Sequence, residues 1–323
     1  MVRKEWRVCL IFSLIIMVLF SGCSGDHGKQ EEGKLNVVTT FYPLYDFAVK
    51  IGGEHAHVVN LVPVGVDPHE WTPKPQDMAR ITQADLFIYN GAGFEVWMDS
   101  MLHSLEERTV VVEASRDIDL IRFDHHGDHG HEDEREQGHE DRREYGHDHG
   151  IHDPHIWLSP KRAMTMADHI RAGFVEADPD HRDTYEANYL QLIKELENLD
   201  QKLEATVKQA KRNHIVVTHS AFQYLAHDYG LEQVSVMGIS PDAEPTAGQL
   251  QKIASFIQEN DVQYILFEEL ASPRLAEILA EDLGIEILVL NPLEGLTDEQ
   301  LANGEDYFSI MEKNVQTLAK ALE

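Results

Sequence analysis

The sequence predicts an α/β protein of two domains. First, short apolar runs alternate with segments of helical periodicity, which is typical of parallel sheets covered by helices. Second, this alternation occurs twice along 323 residues, and that length exceeds what one hydrophobic core usually serves. Between the two sets lies a candidate helix at residues 182–211. It could brace the two domains or lie on the surface as a plain amphipathic helix.

The N-terminus predicts a lipoprotein signal peptide at residues 1–22. Three basic residues precede an apolar run at 8–20, which is too short to cross a bilayer, and the small pair Ser21-Gly22 follows. This pattern indicates lipid attachment at Cys23, which would tether the mature chain to the outer face of the cell membrane. The alternatives are an uncleaved anchor and an ordinary signal-peptidase site. Residues 23–34 then predict a flexible tether.

The composition excludes an intramolecular disulfide in the mature chain and nucleic acid as a partner. The chain contains only Cys9 and Cys23, and removal of the signal peptide takes Cys9 away, so the mature chain can form no intramolecular disulfide. Its 57 acidic residues outnumber the 27 basic ones and give a formal net charge of −30, which excludes nucleic acid as a partner. We expect a monomer that is held together by its apolar cores.

The first domain, predicted at residues 35–181, opens with alternating strand and helix candidates. The strand candidates are apolar runs at residues 35–40, 58–62, 86–89 and 110–112. The helix candidates lie at residues 44–51, 76–82 and 96–105. Because helices separate the strands, the pattern favours a parallel sheet.

A low-complexity insertion at residues 124–152 interrupts this domain. It holds eight histidines among acidic residues, and such a composition cannot make a packed core. The histidines are His125, His126, His129, His131, His139, His147, His149 and His152. Neutral imidazole is the commonest side-chain metal ligand, so we expect the segment to act as an accessory, low-affinity metal collector or as a sensor of the zinc level. A solvated, disordered loop is the simpler interpretation, and both can hold together.

The chain continues with a helix candidate at residues 160–177, the long candidate at 182–211 and a second domain at 212–323. The long segment contains no Gly or Pro and spaces its apolar residues three and four apart. Strand candidates of the second domain lie at residues 215–218, 234–236, 264–267 and 287–290. Its helix candidates lie at residues 222–229, 247–259, 273–282 and 307–322.

One five-residue pattern, Asp-Pro-His-x-Trp, occurs twice, at residues 67–71 and 153–157. Proline fixes its own φ and keeps the preceding residue extended, so each histidine follows a stiff turn. A rigid turn is a suitable place for a metal ligand. The repeated pattern therefore indicates that His69 and His155 form two parts of one metal site.

Further candidate ligands lie where strands of the second domain end. His219 follows the first of these strands, Glu294 lies four residues past the last, and the pair Glu268-Glu269 ends the third. Open α/β sheets bind their ligands at the carboxyl ends of their strands. Glu268-Glu269 therefore competes with Glu294 as the source of a carboxylate ligand, and water is a further alternative.

Three imidazoles and one carboxylate can fill a tetrahedral zinc site. Such a nitrogen-rich set favours Zn²⁺ over Mn²⁺, which prefers more carboxylate and water. A zinc hydrolase is the distant alternative, with Glu70 as a general base beside a three-ligand metal. The sequence contains no His-Glu-x-x-His pattern to support it, and a fourth protein ligand would leave no open position for a reactive water.

The chain resembles the zinc-binding solute-binding proteins of bacterial ABC transporters, the ZnuA/AdcA type. The resemblance covers nearly everything from residue 35 onward. It rests on VTTFYPL at 38–44, GVDPHEW at 65–71, DPHIWLSP at 153–160, VTHSAF at 217–222 and LNPLEGL at 290–296. The chain departs from the proteobacterial zinc members of this family because it lacks a disulfide in the second lobe.

The resemblance implies two lobes with small parallel sheets flanked by helices, joined by the one long helix, with a metal site in the cleft between the lobes. It implies that the matching histidines, His69, His155 and His219, bind Zn²⁺. The fourth ligand varies in the family between water and a carboxylate, and the match to LNPLEGL assigns it to Glu294.

The function that the resemblance implies is binding and not catalysis. We expect a lipid-anchored receptor that captures Zn²⁺ outside the cell and delivers it to an ABC permease driven by its ATPase. A manganese receptor and an adhesin of the same family are the alternatives.

Overall fold

Eight β-strands of the described chain form two four-stranded sheets, and every strand pairing within them is parallel. The computed structural model describes residues 33–102, 105, 108–122, 152–238, 245–270 and 274–323. The first sheet contains β1 (Leu35–Thr39), β2 (Ala56–Asn60), β3 (Leu86–Tyr89) and β4 (Val110–Glu113). The second sheet contains β5 (His214–Val217), β6 (Glu232–Ser235), β7 (Tyr264–Phe267) and β8 (Glu286–Val289).

The two sheets have the same strand order, β2-β1-β3-β4 in the first and β6-β5-β7-β8 in the second. In each sheet the strand that comes first in the chain has a neighbour on both sides, because the next two strands in the chain pair with its opposite sides. Parallel α/β sheets bind ligands beyond the carboxyl ends of their strands at such a point. This topology places the residues after β1 and β5 at the favoured position for a site.

Ten α-helices lie in the described residues, and their starts follow ordinary capping chemistry. They are α1 (Tyr42–Gly52), α2 (Pro75–Thr82), α3 (Met98–Leu102), α4 (Pro160–Ala177), α5 (Arg182–Gln209), α6 (Gln223–Tyr229), α7 (Ala247–Glu259), α8 (Arg274–Leu283), α9 (Asp298–Ala302) and α10 (Tyr307–Ala321). Helices α1, α2 and α4 carry proline in the first turn, where its missing N–H is harmless. Capping boxes at Thr246, Thr297 and Asp306 start α7, α9 and α10.

Helix α5 is the one long helix of the described chain. Its 28 residues correspond to a length of about 42 Å. It buries one stripe, which consists of Tyr185, Leu192, Leu196, Leu199 and Leu203, and it packs against α1, α4 and α10. The helix ends at Gln209, two residues earlier than predicted, because the backbone of Ala210 is extended. It contacts helices from both halves of the chain and is therefore not a plain surface helix.

The largest hydrophobic core is continuous between the two halves of the chain. It includes Phe41 and Trp157 from the first half, Leu199 of α5, and Tyr224 and Tyr307 from the second half. Each sheet also has a separate apolar cluster on its other face. Both faces of each sheet are thus covered, which explains why the strands are apolar runs.

The predicted α/β class with two small parallel sheets is confirmed, and several boundaries differ from the predictions. Strand β2 begins two residues before the predicted 58–62 because Ala56 and His57 pair with β1. Helix α3 begins at Met98, later than the predicted residue 96. The short helix α9 was not predicted. Among the helices described, none combines the length and hydropathy that a bilayer crossing requires.

Candidate metal centre

The structure brings together the four side chains that the sequence indicated. One ligand atom from each of His69, His155, His219 and Glu294 lies within 4.8 Å of every other. They lie on loops: His69 after β2, His219 two residues past β5, and Glu294 five residues past β8. His155 immediately precedes the 3₁₀ turn Ile156–Leu158. Both halves of the chain thus contribute two side chains.

The atoms have the spacing of a small tetrahedral site. Oε1 of Glu294 lies 3.1 Å from Nε2 of His69 and 3.0 Å from Nε2 of His155. It also lies 3.3 Å from Nε2 of His219, and the Nε2 atoms of His69 and His155 are 3.2 Å apart. A tetrahedral zinc ion with bonds of about 2.0–2.1 Å separates its ligand atoms by about 3.3–3.4 Å. These four separations are therefore close to those of a zinc-bound set.

The two copies of Asp-Pro-His form the same local turn. Oδ1 of Asp67 accepts the backbone N–H of His69 at 2.8 Å, and Oδ1 of Asp153 accepts that of His155 at 2.9 Å. An aspartate that hydrogen-bonds the backbone two residues later closes an Asx turn, and the intervening proline stiffens it. The repeated pattern is therefore a repeated way of fixing a histidine.

Carboxylates orient two of the three imidazoles. Nδ1 of His155 lies 2.7 Å from Oδ1 of Asp153, and Nδ1 of His219 lies 2.7 Å from Oε1 of Glu268. Because a carboxylate accepts, the proton of each neutral ring resides on Nδ1 and the Nε2 lone pair faces Glu294. Lone pairs and a carboxylate oxygen that converge in this way require a positive charge between them. Such carboxylate–histidine pairs fix ring orientation in metal sites.

The pKa shifts confirm that the site attracts positive charge. Burial disfavours a charged imidazole, but hydrogen bonds to Glu268 and Glu294 outweigh it and raise the pKa of His219 to about 10. Burial is likewise outweighed at His155, where the neighbouring Asp153 carboxylate raises the pKa. The pKa of Glu294 is held well below its ordinary value because the surrounding imidazoles outweigh burial. Protons or a divalent cation can supply the charge, so a bound cation would displace protons.

Solvent reaches the site at His69. Its side chain is 11 % exposed, whereas those of His155, His219 and Glu294 are at most 2 % exposed. The ring of Phe94 packs edge-on against the His69 ring at a centroid distance of 5.0 Å. A cation would therefore enter past His69 and meet three buried groups behind it.

Glu268, predicted as a competitor for the carboxylate ligand, lies on the far side of His219. Its Oε1 contacts Nδ1 of His219 and also accepts from Thr218 Oγ1 at 3.3 Å. Its neighbour Glu269 is exposed and accepts from Asn291 at 2.7 Å. The structure thus places Glu268 behind the imidazole and Glu294 among the converging atoms.

Sequence reasoning missed the supporting roles of Asp153 and Trp157. The aspartate lies two residues before His155 in the repeated pattern, which was a usable signal for an Asx turn. Trp157 is fully buried, and its indole Nε1–H donates to the carbonyl of Pro292 at 2.8 Å, which joins the His155 segment to the Glu294 loop. Sequence spacing contains no signal for that contact.

The accessory histidines fall mostly outside the described residues. These are His125, His126, His129, His131, His139, His147 and His149, and the predicted lipidation site Cys23 also lies outside. His152 is described, and it forms an isolated antiparallel bridge with Arg122. It lies three residues before His155, so the insertion ends close in sequence to one of the four converging side chains.

Comparison with known proteins identifies the family. Residues 37–321 match the family model of ZnuA, the periplasmic component A of a zinc-uptake complex. The chain belongs to the ZnuA family. This confirms the resemblance inferred from the sequence motifs.

The chain is similar to proteins of the ZnuA family along nearly its whole length. It is 41 % identical to the high-affinity zinc uptake system protein ZnuA of Bacillus subtilis, over 99 % of this chain and 98 % of that one. It is 39 % identical over 98 % of its length to the zinc-binding lipoprotein AdcA of Streptococcus pneumoniae, of which it spans 61 %. The crystal structure of the Zn(II)-bound ZnuA-like domain of that AdcA matches with a TM-score of 0.74 at 38 % identity, covering 90 % of this chain and 99 % of the domain.

Proposed function

We propose that this chain is an extracytoplasmic receptor that binds Zn²⁺ through His69, His155, His219 and Glu294 and delivers it to an ABC importer. The observation that supports it best is the convergence of three Nε2 atoms on one carboxylate oxygen at 3.0–3.3 Å. We place the site in a cleft between two lobes, at 35–181 and 212–323, a placement supported by His69, which follows a strand of the first sheet, and by His219 and Glu294, which follow strands of the second. Family membership as an uptake-complex component supports the transport role.

The donor set favours zinc over manganese. Three imidazole nitrogens and one carboxylate oxygen suit a tetrahedral Zn²⁺ ion, whereas Mn²⁺ prefers more oxygen ligands in a larger shell. The buried carboxylates of Asp153 and Glu268 orient the rings of His155 and His219 so that both present Nε2 as a nitrogen ligand. Relatives named for zinc binding and for zinc uptake support the same choice.

Four protein ligands also favour binding over catalysis. A catalytic zinc site keeps one position open for water or substrate, and Glu294 occupies the fourth position here. Glu70, the general base that a hydrolase would need beside His69, is exposed. The geometry therefore supports capture and release of the ion as cargo.

The remaining parts of the proposal concern the anchor and the partners. A lipid on Cys23 would hold the receptor at the outer face of the cell membrane, and residues 23–34 would give it reach. The signal-like sequence at 1–22 and the lipoprotein names of relatives support this. The partners are a permease and its ATPase, and the receptor acts as a monomer. We propose that the histidines at 125–152 collect zinc weakly and feed the site.

Growth of a strain that lacks the gene tests the proposal. We expect poor growth under zinc chelation, rescue by added Zn²⁺ and by the unmodified gene, and no rescue by a gene carrying His155→Ala and His219→Ala. Rescue by Mn²⁺ alone would indicate a manganese receptor. Normal growth of the deletion strain under zinc chelation would contradict the transport role and favour an adhesin.

A further inference from the structure

Asn314 is a buried side chain on α10 that binds both peptide groups of Asn291. Its Oδ1 accepts the backbone N–H of Asn291 at 2.9 Å, and its Nδ2 donates to the Asn291 carbonyl oxygen at 2.7 Å. Asn314 is only 2 % exposed, and it belongs to a helix that carries none of the four converging side chains. This two-point contact fixes the orientation of the chain where the Glu294 loop leaves β8.

The side chain of Asn291 in turn fixes the residues that follow it in the loop. Its Oδ1 accepts the backbone N–H of Leu293 at 2.7 Å, and its Nδ2 donates to Glu269 at 2.7 Å. Pro292 lies inside this Asx turn, and its carbonyl accepts the indole N–H of Trp157. Three consecutive residues before Glu294 are thus held by hydrogen bonds from side chains.

The backbone conformation of Leu293 explains why these hydrogen bonds are needed. Its φ is +57°, a left-handed conformation that is unfavourable for a residue with a Cβ atom and branched side chain. Such a conformation persists only where its surroundings determine it more strongly than the local preference opposes it. Without the turn, Leu293 would relax to negative φ, and the backbone that carries Glu294 would rotate away from the imidazoles.

We infer that Asn314 is a positioning residue for the fourth zinc ligand, acting through Asn291 and the strained Leu293 to hold Glu294 opposite the three histidines. The inference rests on the proposed zinc-binding function. Loss of Asn314 leaves the histidines and their carboxylate partners in place but frees Glu294, so water takes the fourth position. The site then binds zinc more weakly and discriminates less against other divalent ions.

A double-mutant cycle tests this role. Four proteins are compared by zinc competition titration: the unmodified soluble chain, Asn314→Ala, Glu294→Ala and the double variant. Removing an outer partner of a metal ligand weakens binding about 10–100-fold. We expect a weakening of this order in Asn314→Ala but no further weakening when it is added to Glu294→Ala, because the two changes remove the same ligand.

The absorption spectrum of bound Co²⁺ supplies a readout that loss of stability alone would not change. The spectrum of Asn314→Ala should shift towards that of Glu294→Ala. Asn188→Ala is the matched control, because Asn188 Nδ2 also donates to a backbone carbonyl, that of Ile51 at 2.9 Å, but contacts no part of the Glu294 loop. The control should keep the zinc affinity and the Co²⁺ spectrum of the unmodified chain. Asn314→Ser, a milder change, is measured in parallel and serves if Asn314→Ala does not fold.

Independent, multiplying effects of Asn314→Ala and Glu294→Ala, or an unshifted Co²⁺ spectrum in both Asn314 variants, would overturn the inference. Absence of tight zinc binding in the unmodified chain would instead overturn the proposed function. Tight binding in the unmodified chain with unchanged binding in the Asn314 variants overturns only the role of Asn314.

Discussion

Asp153 binds His155 twice through a single oxygen atom. Its Oδ1 accepts the backbone N–H of His155 at 2.9 Å and lies 2.7 Å from the ring Nδ1 of the same residue. Both residues are fully buried. The first contact fixes the backbone turn and the second fixes the ring, so one carboxylate determines where the Nε2 lone pair points. His69 shares the backbone contact through Asp67.

Asp153→Asn should weaken zinc binding about 10–100-fold, because the amide retains the turn but loses the charge that orients the ring and increases its basicity. Competition with a chelating dye at neutral pH measures the change. Asp67→Asn is the matched control, since its hydrogen bond to His69 serves the backbone alone, and we expect a smaller loss. Equal losses in the two variants would show that the ring contact contributes nothing.

Glu268→Gln and Glu294→Gln should have different effects on zinc affinity and on the Co²⁺ spectrum. Glu268 contacts the outer nitrogen of His219, so its loss should weaken zinc binding while the Co²⁺ spectrum of the site stays unchanged. Glu294 is the proposed fourth ligand, so loss of its charged oxygen should weaken binding more and shift the spectrum. The same titration and absorption measurements check both variants. A spectral shift in Glu268→Gln without one in Glu294→Gln would indicate that Glu268 is the ligand and Glu294 the outer partner.

The contact between Asp228 and Arg162 makes the free energy of unfolding depend on pH in the acidic range. Oδ2 and Oδ1 of Asp228 accept from Nε and Nη2 of Arg162 at 2.7 and 2.9 Å, and Ser159 donates to Oδ2 at 2.6 Å. Burial would raise the pKa of Asp228, but these hydrogen bonds outweigh it and lower the pKa to about 2. In the unfolded chain aspartate titrates near pH 3.9, so the folded state binds fewer protons between these values.

The contact therefore stabilises the fold fully above about pH 4, and its contribution is lost as the pH falls towards 2. We expect the free energy of unfolding of the unmodified chain to fall by up to about 2 kcal/mol more than that of Asp228→Asn over this interval. Urea unfolding with a chelator present at every pH isolates the effect from zinc release. Parallel pH profiles for the two proteins would show that the ion pair does not contribute.

Much of the fold could be predicted from the sequence because buried parallel strands are apolar runs, and all eight candidates correspond to strands. Helix α9 could not, since its five residues, three of them polar, are too few to show apolar periodicity and its start depends on the Thr297 capping box. The continuous core that joins Phe41, Trp157 and Tyr307 could not be predicted from the sequence either. Periodicity shows that a face is buried but not which partner buries it.

The four converging side chains could be predicted because two lie in a repeated pattern and two follow strands. Their supporting contacts could be predicted only where they are local in sequence, as for Asp153 beside His155. Glu268 was singled out as a possible ligand, but its contact with the outer nitrogen of His219 depends on how β5 and β7 pair. Asn314 lies 23 residues beyond the backbone it holds, and only the packing of α10 brings them together.

Helix α5 provides a test of the core. Leu196 is fully buried on this helix, whereas Leu190 is 64 % exposed one and a half turns earlier. Leu196→Ala should lower the free energy of unfolding by about 2–5 kcal/mol through lost burial and a cavity. Leu190→Ala, the matched control, should change it by less than about 0.5 kcal/mol. Urea unfolding compares the two, and similar small effects would contradict the packing of α5 described above.

The most direct test of the zinc site is a calorimetric zinc titration of a soluble variant that lacks residues 125–149, which removes seven of the eight accessory histidines. We expect one tightly bound Zn²⁺ per chain in this variant. We also expect X-ray absorption from three nitrogens and one oxygen at about 2.0–2.1 Å, and loss of the tight site when His155→Ala and His219→Ala are added. No tight binding in the shortened chain, or tight binding that survives both histidine changes, would contradict the account.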